Sequence, residues 1–249
     1  MFEETSYGRF ADVYDFLTDD VEYELRTDYI EKLIRKHFGS SPELVCDLGC
    51  GTGTVCSILN SKGYDCIGID SSDSMLSIAV SKNTDGRILF LNQDICDFEL
   101  YGTVDVFLCM LDTINYITDT DALERLFALV ANYLNPGGIF IFDINTKHKF
   151  ANILGNNTFA YEKENVFYTW ENYYEDGLLD FYLNFFVGDD KGDMYRRFTE
   201  HHEQRYYKTE FLQKLAVINS LDTVGIYGEL SEDPPREDDE RIFVVLKKK

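Results

Sequence analysis

The 249-residue chain has little of several things, and each shortage excludes a class of protein. Proline occurs four times and tryptophan once, and neither a low-complexity linker nor an internal repeat interrupts the sequence. Basic side chains number 23 against 45 acidic ones, a net charge of -22. Such a surface repels a phosphate backbone, so no nucleic acid is expected as the main partner. The one same-sign basic run, Lys247-Lys248-Lys249, reads as the solvated end of a last strand. No apolar stretch approaches the roughly 20 residues that a membrane helix needs, so no membrane partner is expected. The opening "MFEETSYGRFADVYD" is acidic and lacks the features of a secretory signal, so a cytoplasmic location is expected. None of the six cysteines, Cys46, Cys50, Cys56, Cys66, Cys96 and Cys109, forms a C-x-x-C pair, and none has a neighbouring histidine. They read as reduced, buried thiols, with no metal expected.

What is present is alternation. From Val21 to Phe38 apolar residues recur at helical spacing, with Asp19 or Asp20 available to cap the start and Gly39 to end the helix. Short apolar runs then alternate with helical segments: strand 44–48, helix 54–62, strand 66–70, helix 73–82, strand 87–91, strand 104–110 and helix 119–134. "NPGG" at 135–138 reads as a turn into strand 139–144. Five strands joined by crossovers predict a parallel sheet with helices on both faces. From Phe159 to Tyr206 the composition changes to Tyr, Phe and other β-formers, with turns at "EDG" and "GDDKGD", which predicts an antiparallel sheet of three or four strands. A helix at 209–219, a strand near 223–230, an acidic hairpin connection "SEDPPREDDE" and a strand at 241–246 complete the α/β layer.

The chemistry is concentrated in "CDLGCGTGTV", residues 46–55, between the first strand and its helix. A dinucleotide fingerprint needs G-x-G-x-x-G, but Gly49 and Gly51 are followed by Thr54 where the third glycine belongs. A P-loop needs Gly-Lys-Ser/Thr, and Thr54-Val55 does not supply it. Asp47, Gly49, Gly51 and Gly53 together resemble the D-x-G-x-G-x-G motif of class I S-adenosylmethionine-dependent methyltransferases. Such glycines permit positive φ and close approach of a ligand to the backbone. An aspartate at the strand end favours an ammonium over a phosphate.

Two later positions agree. Asp70 ends the second strand twenty-three residues on, where nucleotide folds place a carboxylate for ribose hydroxyls. "NQDICDF" resembles the family's next motif, which implies that Asp94 accepts from the adenine amine and that Ile95 contacts the ring. "CMLDTINYI" resembles the segment beneath the methionine end, and brings Leu111 into the set. The resemblance adds Cys50, Ser71 and Met75 to the cofactor-binding residues. It covers roughly residues 45–145 and implies a doubly wound, mostly parallel seven-stranded Rossmann-like sheet with an antiparallel β insert after the fifth strand. The expected division is a cofactor-binding core with a helical cap at 1–148, an insert serving as substrate lid at 149–207, and completion of the sheet at 208–249.

At a finer level "YGRFADVYDFLTDD", "LDTINYI", "FDIN" and "EHHEQRYY" resemble bacterial small-molecule methyltransferases, with sugar-amine N-methyltransferases of similar layout. In that group the N-terminal segment closes over the cofactor, which implicates Tyr7, Phe10 and Tyr14, although terminal-helix aromatics also serve as core anchors. The expected function is methyl transfer from S-adenosylmethionine to nitrogen or oxygen of a small molecule. The alternatives are a cofactor-binding module, a protein or RNA methyltransferase and, last, a nicotinamide-dependent oxidoreductase. Removal of the acceptor's proton calls for a base. Adjacent residues on a strand face opposite ways, so one of His201 and His202 faces the cleft, and His201 is the expected one. Asn115 and Asp143, with Asp112, stand near strand ends and are expected at the site. Trp170, Arg205 and Tyr206 are expected to line the acceptor pocket. The tyrosine-rich strands would serve a homodimer interface as readily as a lid.

Overall fold

A computed structural model describes residues 10–189 and 194–249, the side chain of Asp12 excepted. Tyr7 and part of the "GDDKGD" turn lie outside the described residues. Seven strands form one sheet in the order β10-β11-β5-β4-β1-β2-β3. They are β1 Leu44–Leu48, β2 Asp65–Asp70, β3 Leu89–Asn92, β4 Val104–Cys109, β5 Leu134–Asn145, β10 Leu221–Gly228 and β11 Arg241–Lys248. All pairings are parallel except the two made by β11, which runs against β5 and β10.

Alternation along the strands divides the core between the two faces. Ile139 and Ile141 of β5 and Val45 of β1 pack on one side with Ile30, Leu33 and Ile34 of α2 (Tyr23–His37) and Leu59 of α3 (Thr54–Ser61). Phe140, Phe142 and Ile144 face the other side. There they meet Phe127 and Val130 of α6 (Thr120–Tyr133) and Leu215 of α7 (Thr209–Ile218). Strands covered on both faces must be apolar almost throughout, and β5 is buried from Ile139 to Asn145. α4 (Asp73–Lys82) starts as expected, with Ser72 accepting from the Met75 N–H.

Four strands, β6 Thr158–Lys163, β7 Val166–Glu175, β8 Leu178–Gly188 and β9 Tyr195–Arg205, make a separate antiparallel meander. Its inner face, which includes Leu179, Phe181, Phe185 and Phe198, closes a third core. Phe10 and Ala11 of the N-terminal segment, carrying helix α1 (Ala11–Leu17), and Phe150 and Leu154 join that core.

Several local expectations need correction. Neither Asp19 nor Asp20 caps α2: the cap is Glu22 in a left-handed conformation, and the two aspartates belong to a short 3-10 turn. "NPGG" is not a turn before β5 but a bulge inside it, where Leu134 pairs with Val104 before the register shifts. At Gly138 a Cβ would stand 2.8 Å from the Asn135 carbonyl and 2.9 Å from that of Asp105, so only glycine fits. The short helix α5 (Thr113–Tyr116) and a π-helical turn over Lys149–Leu154 were not foreseen. Both follow strand ends, where hydrophobic period carries no signal.

Candidate active site

Strand order reverses between β1 and β4, and the crevice at the carboxyl ends of such strands is where open α/β sheets bind ligands. A cavity of about 950 Å³ opens there, between the strand ends, α1 and the inner face of the antiparallel sheet. Its glycine-loop wall is built from backbone. Gly49 and Cys50 donate N–H to the Ile69 carbonyl at 2.8 and 3.0 Å, and Gly51 donates to Asp70 Oδ2 at 2.8 Å. All three glycines have positive φ, yet the reason for glycine differs at each. A Cβ at Gly49 would strike Thr113 at 2.6 Å and one at Gly53 would strike Phe90 at 2.7 Å, whereas one at Gly51 meets nothing within 4 Å. Gly51 therefore faces open cavity. Gly53 instead packs helix against strand, outside the cavity wall.

Carboxylates line this end. Asp70 accepts from the Gly51 and Ser72 N–H groups, and Asp94 Oδ1 accepts from the Cys96 N–H at 2.8 Å. Asp47 is buried, and its partner among the described residues is the Cys56 thiol at 3.7 Å. Burial, together with Asp70 and Asp143, raises its pKa to about 7. Burial also raises Asp70, against the backbone N–H groups that lower it. A buried carboxylate without a basic partner is a place for a ligand cation, and a polyphosphate would be repelled. Cys50, Ser71, Met75 and Ile95 lie on the same wall, with Phe10 and Tyr14 from the N-terminal segment, and Leu111 lines the cavity just past the end of β4. Thr52 donates to Asp15 Oδ1 at 2.6 Å, and Asp15 also pairs with Lys82, which fastens α1 to the glycine loop.

The opposite end is built from distant parts of the chain. Leu111 and Asp112 both adopt left-handed conformations, φ 55° and 56°, a backbone cost of ~1–3 kcal/mol each. The corner is held by Asp143, whose oxygens accept from the Leu111 N–H at 3.1 Å and the Asp112 N–H at 2.6 Å. Arg241 is buried and donates to Asp143 at 2.8 Å and to Asp112 at 2.6 Å. Gln204, from β9, donates to the other Asp112 oxygen at 2.6 Å. Trp170, Phe181, Asn145 and Lys149 complete this wall. Trp170 Nε1 and Asn145 Oδ1 are buried with no hydrogen-bond partner among the described residues, a donor and an acceptor left over at the cavity wall.

The three expected catalytic residues do not line the cavity. His201 is half exposed on the outer face of the antiparallel sheet, stacked on Tyr182 and 3.0 Å from Asp180. The inward histidine is His202, against Phe181 and Tyr116. Burial and the neighbouring His201 lower its pKa to about 4. Asn115 is buried, donating to the Arg205 carbonyl at 2.8 Å and accepting from the Asn145 N–H at 2.9 Å. It ties α5 to both sheets. Asp143 clamps the corner from behind. Arg205 donates to the Thr118 carbonyl and Tyr206 packs on Phe150, both off the cavity wall.

A methyltransferase-domain family model matches residues 45–138. A Bacillus subtilis protein described as a methyltransferase, YqeM, is 32% identical over 248 residues, 97% of each chain. An S-adenosylmethionine-dependent methyltransferase structure from Clostridium acetobutylicum superposes with TM-score 0.88 at 37% identity, over 97% of this chain and 98% of that one. The chain belongs to the S-adenosylmethionine-dependent methyltransferases. The fold alone is shared with Streptomyces venezuelae DesVI, TM-score 0.82 at 22% identity over 96% and 98% of the chains. A S. venezuelae amino-sugar N,N-dimethyltransferase is 30% identical over 134 residues, covering 53% of this chain and 55% of that one.

The cavity of this methyltransferase is also lined by residues not expected from the sequence, among them Arg241, Lys149 and His202. Arg241 has a faint signal, an arginine opening an apolar strand. Lys149 had none. The parity of His202 could have been found from Phe198, the one large apolar residue between Arg196 and Gln204. Residues four apart on a strand share a face, so His202 goes where Phe198 goes.

Proposed function

We propose that this methyltransferase transfers the methyl group to a nitrogen or oxygen of a small molecule, in the cytoplasm and without a nucleic-acid partner. The carrying observation is the cavity itself. Its roughly 950 Å³ stands at the upper end of the ~300–1,000 Å³ range of small-molecule sites, consistent with room for a nucleoside-sized group and a small acceptor together. The charge of -22 argues against RNA. The amino-sugar dimethyltransferase among its relatives supports a small acceptor.

The glycine-loop wall suits the cofactor, with Asp47 toward its ammonium, Asp70 toward the ribose hydroxyls, Asp94 and Ile95 toward the adenine and Gly51 beneath. When bound, the cofactor supplies a sulfonium methyl whose departure leaves a neutral thioether. The protein's task is then to hold the acceptor in line and exclude water, an orientation effect that supplies up to ~7–11 kcal/mol. Residues 149–207 act as the lid, over a core of 1–148 completed by 208–249, and Trp170 and Asn145 bind polar atoms of the acceptor. Exposed Tyr173 and Tyr182 on the lid's outer face leave it open to a homodimer contact as well.

Calorimetry should show S-adenosylhomocysteine binding in preference to NAD. Gly51→Arg, which fills the open space above the loop, should weaken that binding at least ~100-fold, or about 2.7 kcal/mol. Incubation with methyl-labelled cofactor and fractionated extract should place label in the low-mass fraction. Label confined to RNA or protein would overturn the acceptor class, and a folded protein that binds no S-adenosylhomocysteine would overturn the site.

A further inference from the structure

Methylation of an amine or hydroxyl leaves one proton to be removed, and few groups on the cavity wall are able to take it. His202 is a weak base, because burial holds its imidazole neutral down to about pH 4. Asp112 has both oxygens engaged, by Arg241 and Gln204. Burial keeps the Tyr14 phenol protonated. Asp47 stands at the other end, beside Asp70.

Lys149 differs from all of these. It opens the π-helical turn, a widened backbone form that recurs at functional sites. Its side chain lines the cavity, yet makes no hydrogen bond or ion pair with the described residues. The groups that face it are Arg241 from β11, Asp112 from the β4–α5 corner, Glu240 before β11 and Glu229 after β10, with Lys147 and His148 adjacent in the chain. Three of these are acids, but two are already partnered: Asp112 by Arg241, and Glu229 by Arg26 at 2.7 Å. Burial first, then the Arg241 charge, disfavours the ammonium, and together they outweigh the acids and lower the Lys149 pKa. A bound cation would disfavour the ammonium further.

We propose that Lys149 Nζ, as the free amine, accepts the proton that the acceptor releases, an inference that rests on the methyltransferase reading of this cavity. The acceptor's lone pair forms the bond to the methyl carbon while the methyl–sulfur bond breaks, its electron pair remaining on sulfur. The acceptor's N–H or O–H proton passes to Nζ, which becomes an ammonium. One positive charge enters the step and one leaves it, now on the lysine.

Two measurements test this, and the first needs no acceptor. Competitive acetylation of the wild-type protein across pH 6–11, mapped by peptide mass, gives the titration midpoint of each lysine. That of Lys149 should lie below an ordinary lysine's ~10.4. A midpoint at or above that value overturns the proposal. The second follows label transfer to the low-mass fraction by Lys149→Met and Lys149→Arg. Both should lose about 10²–10⁴-fold in kcat, with S-adenosylhomocysteine binding unchanged within about twofold. Arginine retains the charge but does not deprotonate. Recovery of transfer in Lys149→Arg therefore shows a purely electrostatic role and overturns the proposal. A wild-type protein that transfers no label at all would instead count against the acceptor reading, and the acetylation midpoint still decides the state of Lys149.

Discussion

At the glycine-loop end of the cavity, Asp47, Gly51, Asp70 and Asp94 come from one stretch of chain, and Asp70 and Asp94 each accept from a backbone N–H two residues on, Asp70 also from the Gly51 N–H nineteen residues back. At the other end, Asp112, Lys149, Trp170, His202, Gln204 and Arg241 are drawn from residues 112 to 241, and Gln204 and Arg241 bond to Asp112 across as many as 129 positions. The first wall is built within one stretch of chain. The second is assembled by ionic contacts within the seven-stranded sheet and by hydrogen bonds linking Gln204 to it, so its shape depends on how the two sheets sit. The common donor is expected at the wall built locally, and the variable acceptor at the wall built from afar.

The sharpest way to break this comparison is Arg241→Met. It leaves the buried Asp143 and the Asp112 carboxylate without their cation, and removing one partner of a buried pair costs about 3–5 kcal/mol. Urea unfolding should show that loss. A change below about 1 kcal/mol would mean that the acceptor wall stands without its ionic link.

Asp47→Asn tests the other wall with a sign that depends on pH. The folded pKa of Asp47 is raised from 3.8 to about 7. Below pH 4 both states hold the proton; from there up to 7 the unfolded chain releases it first, and stability falls as pH rises. The amide removes that loss. The ligand-free variant should be more stable than wild type at pH 8 by about 1–4 kcal/mol, and equal to it near pH 4, in thermal unfolding at both pH values. Its S-adenosylhomocysteine binding should be weaker. A variant less stable at pH 8 would show that Asp47 is not held at a cost for a ligand cation.

The smallest effect separates the two histidines. His201 and Asp180 form a half-exposed pair, so His201→Ala should change stability by less than about 0.5 kcal/mol and leave methyl transfer intact. His202→Ala, which opens space beside Phe181 inside the cavity, should cost about 1–3 kcal/mol and reduce transfer. Equal effects on transfer would contradict the assignment of the inner face.

Much of the glycine-loop wall was legible because each signal there is local. Strand β1 and helix α4 begin and end where period and capping put them. Asp70 and Asp94 follow from their places at strand ends. Even so, Gly53 belongs to packing against Phe90, since nothing in a row of three glycines says which faces a neighbour and which faces a void. The acceptor wall was hardly legible. Asn115 and Asp143 stand near the expected strand ends but point into the supports behind the cavity, where each satisfies buried backbone groups. Arg241 and Lys149 lie 92 residues apart in the chain and become neighbours only when β11 pairs with β5.

By itself the sequence determined the order of strands and helices, the division of apolar residues between two faces, and the donor that the first loop suits. These depend on φ, period and spacing within a few residues. Only the tertiary structure decided which histidine enters the cavity, which acids are clamped by Arg241, and that the Lys149 side chain lines the cavity without a hydrogen-bond or ion-pair partner among the described residues. Those outcomes rest on the register of β9 against β8 and of β11 against β5, set by packing across the whole molecule.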